Sequence, residues 1–314
     1  MRVVVTGCAG FIGSNLTDHL LAEGHEVVGI DNLSTGREAF IAGALQSKHF
    51  ELARLDLHDA QLVDVVEGAD AVVHLAANAD VRFGWDHPTR DTEQNLVVTQ
   101  RVLEAMRVTK VPRLLFSSTG SVYGEAEVIP TPEDCPMPVQ TSLYAASKLA
   151  AEALIQAYAE GAGLRTTVFR FVSILGHRYT HGHVIDFVDL LERDPTSLRI
   201  LGDGKQRKSY LDVEDCVRAV TSMLDADHQH ETYNLGCDEY CTTDQSAGWI
   251  CERLGLAPTF QHTGGERGWV GDNPFIFLDT AKIRATGWTP KHTIREAVER
   301  TVDFLVANPD ERPR

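Results

Sequence analysis

The chain has 314 residues, 43% of them hydrophobic and 24% charged, which suits a soluble globular protein with one large core or two modest ones. A formal net charge of −16 argues against a nucleic-acid or anionic-membrane partner, and it requires any anionic ligand to be held by a local cluster of donors. No apolar run nears the roughly 18–20 residues of a membrane-spanning helix, and the opening MRVVVTG already reads as a strand rather than a cleavable signal. The six scattered cysteines read as structural thiols, so the expected compartment is a reducing cytoplasm.

Strand and helix patterns then alternate. RVVVTG is a strand, FIGSNLTDHLLAEG an amphipathic helix ending at Gly24, and EVVGID a second strand. A helical stretch around Arg37–Leu45 leads to the strand FELARLDL, a helix at Ala60–Glu67 and the strand DAVVHLAA. A helix over Glu93–Arg107, the strand RLLFSS, a helix over Ser142–Glu160 and the strand RTTVFRFV follow. This rhythm predicts an α/β fold with a Rossmann-type, doubly wound parallel sheet and right-handed crossovers. The loop EVIPTPEDCPMPVQ holds four prolines and is expected to be irregular.

Beyond Val172 the pattern loosens. HVIDFVDLLERDP is a helix, LRILGDGKQRKSYLDVEDC a turn-rich pair of short strands, DCVRAVTSMLDA a helix, and TYNLG a strand returning to the main sheet. The remainder reads as short helices between loops. The expected division is a dinucleotide-binding domain at 1–172, rejoined by 211–237, and a smaller C-terminal substrate-binding cap at 173–210 and 238–314.

TGCAGFIG places Gly7, Gly10 and Gly13 between the first strand and first helix. Glycine permits positive φ, close approach of a pyrophosphate and tight helix packing, and the helix N-terminus offers its dipole to the phosphates. Asp31, ending the second strand, is placed to accept both adenosine ribose hydroxyls. Its charge repels a 2′-phosphate, so NAD is expected over NADP. YAASK sets Tyr144 and Lys148 four residues apart on one helix face. An ammonium near a phenol favours the phenolate, which makes Tyr144 a candidate general base with Lys148 lowering its pKa.

With these residues in view the chain resembles an extended short-chain dehydrogenase/reductase of the NAD-dependent nucleotide-sugar epimerase/dehydratase family. The likeness is greatest to UDP-glucose 4-epimerases of the short bacterial and archaeal type. It is carried by TGCAGFIG, DNLSTG, LDLHD, HLAA, NLVVT, SSTGSVYG, YAASK and GDGKQRKSYLDVEDC, over nearly the whole length. The resemblance implies cofactor contacts from Phe11, Ile12, Asn32, Ser34, Thr35 and Gly36, with Asp56 and Leu57 at adenine. It places Leu75, Ala76 and Ala77 along the nicotinamide half, Asn95 steadying the loops, and Ser117, Ser118, Phe171 and Val172 nearby. It also implies a homodimer built from the Glu93–Arg107 and Ser142–Glu160 helices.

Members of this family begin by oxidising the sugar C4 alcohol and diverge afterwards. Dehydratases resemble Thr-Asp-Glu at the strand end before VYG, and decarboxylases tend to carry a glutamate there. This chain has Thr119, Gly120 and Ser121, a hydroxyl cluster with no carboxylate. A hydroxyl donates to a ketone or accepts from an alcohol, which fits 4-epimerisation through a transient 4-keto sugar. The resemblance adds Ser121, Ser173, Arg178, His183, Val184, Lys208, Tyr210, Arg267 and Asp272 as contacts to a nucleotide-diphosphate sugar, most naturally a UDP-hexose. Ser173 stands where the family commonly has asparagine, Lys208 where it has arginine, and Trp269 where an arginine precedes the aspartate. Arg178 keeps a uronic acid open as the sugar, and an N-acetylhexosamine is a further alternative. His181 and His183 alternate, but without a third ligand at matching spacing no metal is expected. A reductase or oxidase on the same scaffold, and a non-catalytic NAD-binding regulator, are the competing readings.

Overall fold

The structure, a computed structural model, describes residues 1–79, 84–137, 139–268, 273 and 275–312. In chain order its elements are β1 (Arg2–Thr6), α1 (Phe11–Ala22), β2 (Glu26–Ile30), β3 (Phe50–Ala53), α2 (Leu62–Val66), β4 (Ala71–His74) and α3 (Val98–Thr109). Next come β5 (Arg113–Thr119), α4 (Leu143–Ala162), β6 (Arg165–Phe171), β7 (Ser173–Leu175), α5 (His183–Arg193), β8 (Ser197–Ile200), β9 (Arg207–Lys208) and β10 (Tyr210–Asp212). The chain continues through α6 (Val213–Ser222), β11 (His230–Leu235), β12 (Cys241–Thr242), α7 (Thr243–Leu254), β13 (Thr259–His262), β14 (Phe275–Ile276), α8 (Ala281–Arg284) and α9 (Ile294–Ala307).

Seven strands form one sheet in the order β11-β6-β5-β4-β1-β2-β3. β1 pairs in parallel with β2 and β4, β2 with β3, and β4 with β5. The Val3-Val4-Val5 run of β1 is fully buried, as a strand covered on both faces must be. Burying each such side chain contributes about 1.5–3 kcal/mol. The strand order reverses between β1 and β4, the place where such sheets open a crevice at their carboxyl ends. The Rossmann-type sheet expected from the sequence is the fold observed.

Two compact units separate by their contacts. The first is Met1–Val122, Ser142–Arg170 and Val217–Tyr233; the second is Tyr123–Thr141, Phe171–Cys216 and Asn234–Arg314. Residues 123–141, expected with the first unit, cluster with the second because hydrogen bonds tie them there. Thr131 N donates to Phe277 O (2.9 Å), Asn234 Nδ2 to Thr131 O (2.8 Å) and Asn234 N to Glu133 Oε1 (2.9 Å).

Several local expectations are corrected. The stretch around Arg37–Leu45 is two 3₁₀ turns, Glu38–Ile41 and Ala44–Gln46. The Glu93–Arg107 helix begins with a π-helical segment, Thr92–Val97, before α3. The expected pair of short strands is three strands that pair elsewhere: β8 with β13, β9 with β12 and β14, β10 with β7. Gly202 and Gly204, at φ +80° and +76°, turn the chain between β8 and β9. The C-terminal part is more helical than expected, since α7 and α9 run 12 and 14 residues. Each begins with a reciprocal capping box, Thr242 with Gln245 and Thr293 with Glu296, which satisfies two end groups of the helix at once. All six cysteines are free thiols and buried.

Candidate active site

The crevice at the end of β1 is shaped by backbone contacts. Gly7 has φ +72°, and a Cβ there would lie 3.0 Å from the Ala76 backbone. A Cβ on Gly13 would fall 2.0 Å from the Gly7 carbonyl oxygen, so only glycine lets α1 sit this close to the turn. Helix α1 starts at Gly10 with no capping side chain and no acidic residue in its first turn, so nothing on the helix neutralises the positive end of its dipole.

Asp31, at the end of β2, is 8% exposed. Its Oδ2 accepts from Ala9 N (2.9 Å) and its Oδ1 from Leu33 N (2.8 Å), which fixes the carboxylate beside the glycine turn. Burial raises its pKa, and the two amides oppose that rise. A Cβ on Gly36 would lie 2.6 Å from Asp31 Oδ1, so the loop closes over the acid only with glycine there. Asn32 donates Nδ2 to Asp56 Oδ2 (2.7 Å), and Asn32 Oδ1 accepts from Ser34 N (3.0 Å). Asp56 also accepts from His58 N, and this bond holds its carboxyl below the usual range. Glycine turn, unneutralised helix end and oriented carboxylate together fit a dinucleotide: diphosphate at α1, ribose at Asp31. Leu57 is buried, whereas Ser34 and Thr35 are exposed.

Tyr144 and Lys148 lie on α4, which Ser142 caps by accepting from Ala145 N (3.1 Å). Tyr144 is hydrogen-bonded to Thr119, and Thr119 Oγ1 also accepts from Ser121 N (3.1 Å). Lys148 Nζ donates to Ser117 O (2.8 Å) and sits 4.7 Å from the Phe116 ring centroid. The three expected catalytic residues therefore meet at the carboxyl end of β5. Burial pushes the phenol up to about 12, Asp91 adds to the rise, and the Thr119 bond opposes it. Burial also brings Lys148 itself down to about 7, and the Glu152 charge opposes that fall.

A buried polar chain joins β1, β4, α3 and α4. Leu75 N and Ala76 N both donate to Thr6 Oγ1 (3.2 Å each), which bonds His74 Nδ1 (2.7 Å). His74 Nε2 meets Thr99 Oγ1 (3.1 Å), and Thr99 donates to Asn95 O (2.5 Å). Asn95 Nδ2 donates to Ser147 Oγ (2.9 Å), and Ser147 donates to Tyr144 O (2.8 Å). Because Thr99 gives its proton to Asn95 O, His74 must donate from Nε2 and accept at Nδ1. Burial brings His74 down to about 3, so it stays neutral. Asn95 Oδ1 accepts from Asn78 N (2.8 Å). The Ser118 hydroxyl is bonded to Glu152 on α4.

Within the second unit, four of the expected sugar-nucleotide residues come together. β7 and β10 pair Ser173 with Tyr210, the Tyr210 ring lies 4.9 Å from that of His183, and the Lys208 charge acts on His183. His183 bonds Ser246 Oγ (2.8 Å) and is brought down to about 4 by burial, so it is a neutral, packed imidazole. His181 instead stacks on Tyr179. Val184 has no exposed surface, and its side chain belongs to the core. Phe171 and Val172 are buried. Lys208 donates to Asn273 O, Arg267 pairs with Glu125, and Arg178 holds a left-handed φ of 65°. Asp272 and Trp269 lie outside the described residues. Glu152, Arg170, His74 and Thr6 were not singled out from the sequence. An arginine inside the apolar strand TTVFRFV was the available signal for the first two.

Comparison with known proteins agrees with this geometry. A UDP-glucose 4-epimerase of Mycolicibacterium smegmatis is 35% identical, with 97% of this chain and 98% of that protein covered. The crystal structure of a Thermus thermophilus UDP-glucose 4-epimerase complex with NAD superposes with a TM-score of 0.86 at 33% identity, covering 98% of this chain and 99% of that one. A Bacillus cereus UDP-glucuronic acid 4-epimerase, solved with UDP-glucuronic acid and NAD, superposes with a TM-score of 0.90 at 26% identity and the same coverage. Residues 3–236 match the NAD dependent epimerase/dehydratase family, and to that family the chain belongs.

Proposed function

We propose that this chain is an NAD-dependent nucleotide-sugar 4-epimerase acting on a UDP-hexose of the glucose/galactose type through a transient 4-keto sugar. The observation that carries the reading is the junction of Tyr144 with Thr119 at a strand end holding hydroxyls and no carboxylate. NAD, when bound, takes up and returns the C4 hydride and brings a positive ring charge. As the phenolate, the form that the Lys148 ammonium and that ring charge would favour once NAD is bound, Tyr144 Oη accepts the proton of the sugar O4 and later gives it back. Thr119 Oγ1 shares a hydrogen bond with that phenol and serves O4 as donor or acceptor as the oxygen changes from alcohol to ketone. Lys148, anchored on Ser117 O, keeps its ammonium beside the same strand end. Elimination across C5 and C6 needs an acid and a base at this strand end, and Thr119-Gly120-Ser121 offers neither.

Support for the substrate class comes from the relatives' UDP-sugars and from the cluster of Ser173, Tyr210, His183 and Lys208. Among the described residues no helix is long and apolar enough to cross a membrane, and we place the enzyme in the cytoplasm as a homodimer assembled through α3 and α4. The test is a panel of UDP-, dTDP- and GDP-sugars followed by NMR. Inversion at C4 without net NADH formation is expected, and Tyr144→Phe is expected to abolish it. Stoichiometric NADH or NADPH turnover, or full conversion by Tyr144→Phe, overturns the reading.

A further inference from the structure

Three consecutive turns of α4 each hold one of the last three residues of β5. Tyr144 bonds the Thr119 side chain, Lys148 Nζ donates to Ser117 O (2.8 Å), and Glu152 accepts from Ser118 Oγ. The spacing of 144, 148 and 152 extends the Tyr-x-x-x-Lys stripe by one more turn. Glu152 is itself clamped. Arg170, on β6, donates Nη2 to Oε2 (2.7 Å) and Nε to both carboxylate oxygens (3.2 and 3.3 Å). The side chains of this ion pair are 6% and 3% exposed.

Burying two charges costs several kcal/mol per ion before pairing, and well-packed apolar residues of similar volume often serve stability as well or better. Packing of α4 on β6 therefore does not account for the pair. What distinguishes it is the third member, the Ser118 hydroxyl, which sits between the residues that receive Lys148 and Tyr144.

We propose that Glu152, clamped by Arg170, is a positioning residue for proton transfer: it pins Ser118, and so fixes the end of β5 against α4 with Thr119 and Ser117 O in register with Tyr144 and Lys148. This rests on the reading of Tyr144 and Lys148 as the proton-transfer pair. Glu152 has an electrostatic share as well. Burial drives Lys148 down to about 7, and the Glu152 charge is what opposes the fall. The other groups facing this site are neutral His74 from β4, Tyr144 on α4 itself, Asp91 acting on Tyr144, and Arg170 from β6, whose charge Glu152 balances. Removing the Glu152 charge leaves the Lys148 ammonium easier to lose.

The experiment compares Ser118→Ala, Glu152→Gln and the double variant Glu152→Gln/Arg170→Met as NAD-loaded proteins, measuring kcat and KM for the UDP-sugar against pH together with bound NAD. Ser118→Ala keeps the ion pair intact and is expected to lower kcat roughly tenfold while KM changes less than about threefold and the alkaline limb of kcat stays in place. Glu152→Gln is expected to lower kcat and move the alkaline limb toward lower pH by about one unit. The double variant carries this test if an unpaired Arg170 prevents folding of the single one, and its limb is expected to move the same way. Wild-type kcat and pH profile in Ser118→Ala and the double variant overturn the proposal. So does a loss that is uniform across pH and tracks lost NAD. Conversion surviving in Tyr144→Phe overturns the underlying reading instead, which separates the two failures.

Discussion

Replacing Gly13 with alanine puts a methyl carbon 2.0 Å from the Gly7 carbonyl oxygen, 2.8 Å from its carbon and 3.0 Å from Cys8 Cα. The nearest of these is about 1.5 Å short of an ordinary non-bonded separation. All three atoms are backbone, so no side chain can rotate away; α1 must withdraw from the turn or the turn must open. Overpacking of this kind costs about 1–3 kcal/mol, and a rigid backbone neighbour points to the upper end. Withdrawal of α1 also takes its N-terminus away from the position where a diphosphate is held. Gly13→Ala is therefore expected to unfold at lower urea by about 3 kcal/mol and to be purified with little NAD, assayed by acid release and chromatography. Gly43→Ala is the matched control: φ is −66° and ψ −46°, and nothing lies within 4 Å of its Cβ. That variant is expected to keep full NAD and to gain about 0.4–1 kcal/mol. Wild-type stability and NAD content in Gly13→Ala would refute the reasoning.

Thr119→Val keeps the volume and removes the hydroxyl shared with Tyr144 and Ser121 N. It is expected to lower kcat about 100-fold with KM within about threefold, and Thr119→Ser to recover most of the loss; an effect confined to KM counts against a role at O4. His74 gives a pH signature. Its folded pKa of about 3 lies below the usual imidazole value of about 6.5, so between those values the unfolded chain binds the proton first and stability is lost as the pH is lowered. At about 1.4 kcal/mol per pH unit, lowering the pH to about 5 removes about 2 kcal/mol through this residue. Urea unfolding of His74→Gln at neutral and mildly acidic pH is expected to lack that increment, and an unchanged pH slope rules it out.

The dinucleotide corner was readable because its cause is local. Three glycines and an acid lie within one strand-helix-strand unit, and the backbone contacts at Gly7 and Gly13 leave no alternative residue. Tyr144 and Lys148 were readable for the same reason, being one helical turn apart. Their electrostatics were not. Spacing places a lysine near a tyrosine, but the burial that lifts one pKa to about 12 and lowers the other to about 7 depends on what the fold stacks above them. The Glu152–Arg170 pair needed the knowledge that β6 runs beside α4, 18 residues on. His183 is held by Ser246, 63 residues away, and no local pattern announces that bond. The starts of α7 and α9 are legible locally, since TTDQ and TIRE are capping-box sequences, whereas their lengths depend on packing partners far along the chain.

The six buried thiols have a practical consequence. Burial pushes Cys8 and Cys241 up to about 12 and raises Cys216, Cys237 and Cys251 as well. Thiolate is the reactive form, so alkylation of these five thiols in the folded chain at neutral pH is confined to moments when the packing opens. Cys8 lies in the turn between β1 and α1, Cys216 in α6, Cys241 in β12 and Cys251 in α7. Their separate labelling rates make the native sequence a set of built-in clocks, each timing the opening of a different region without any introduced probe.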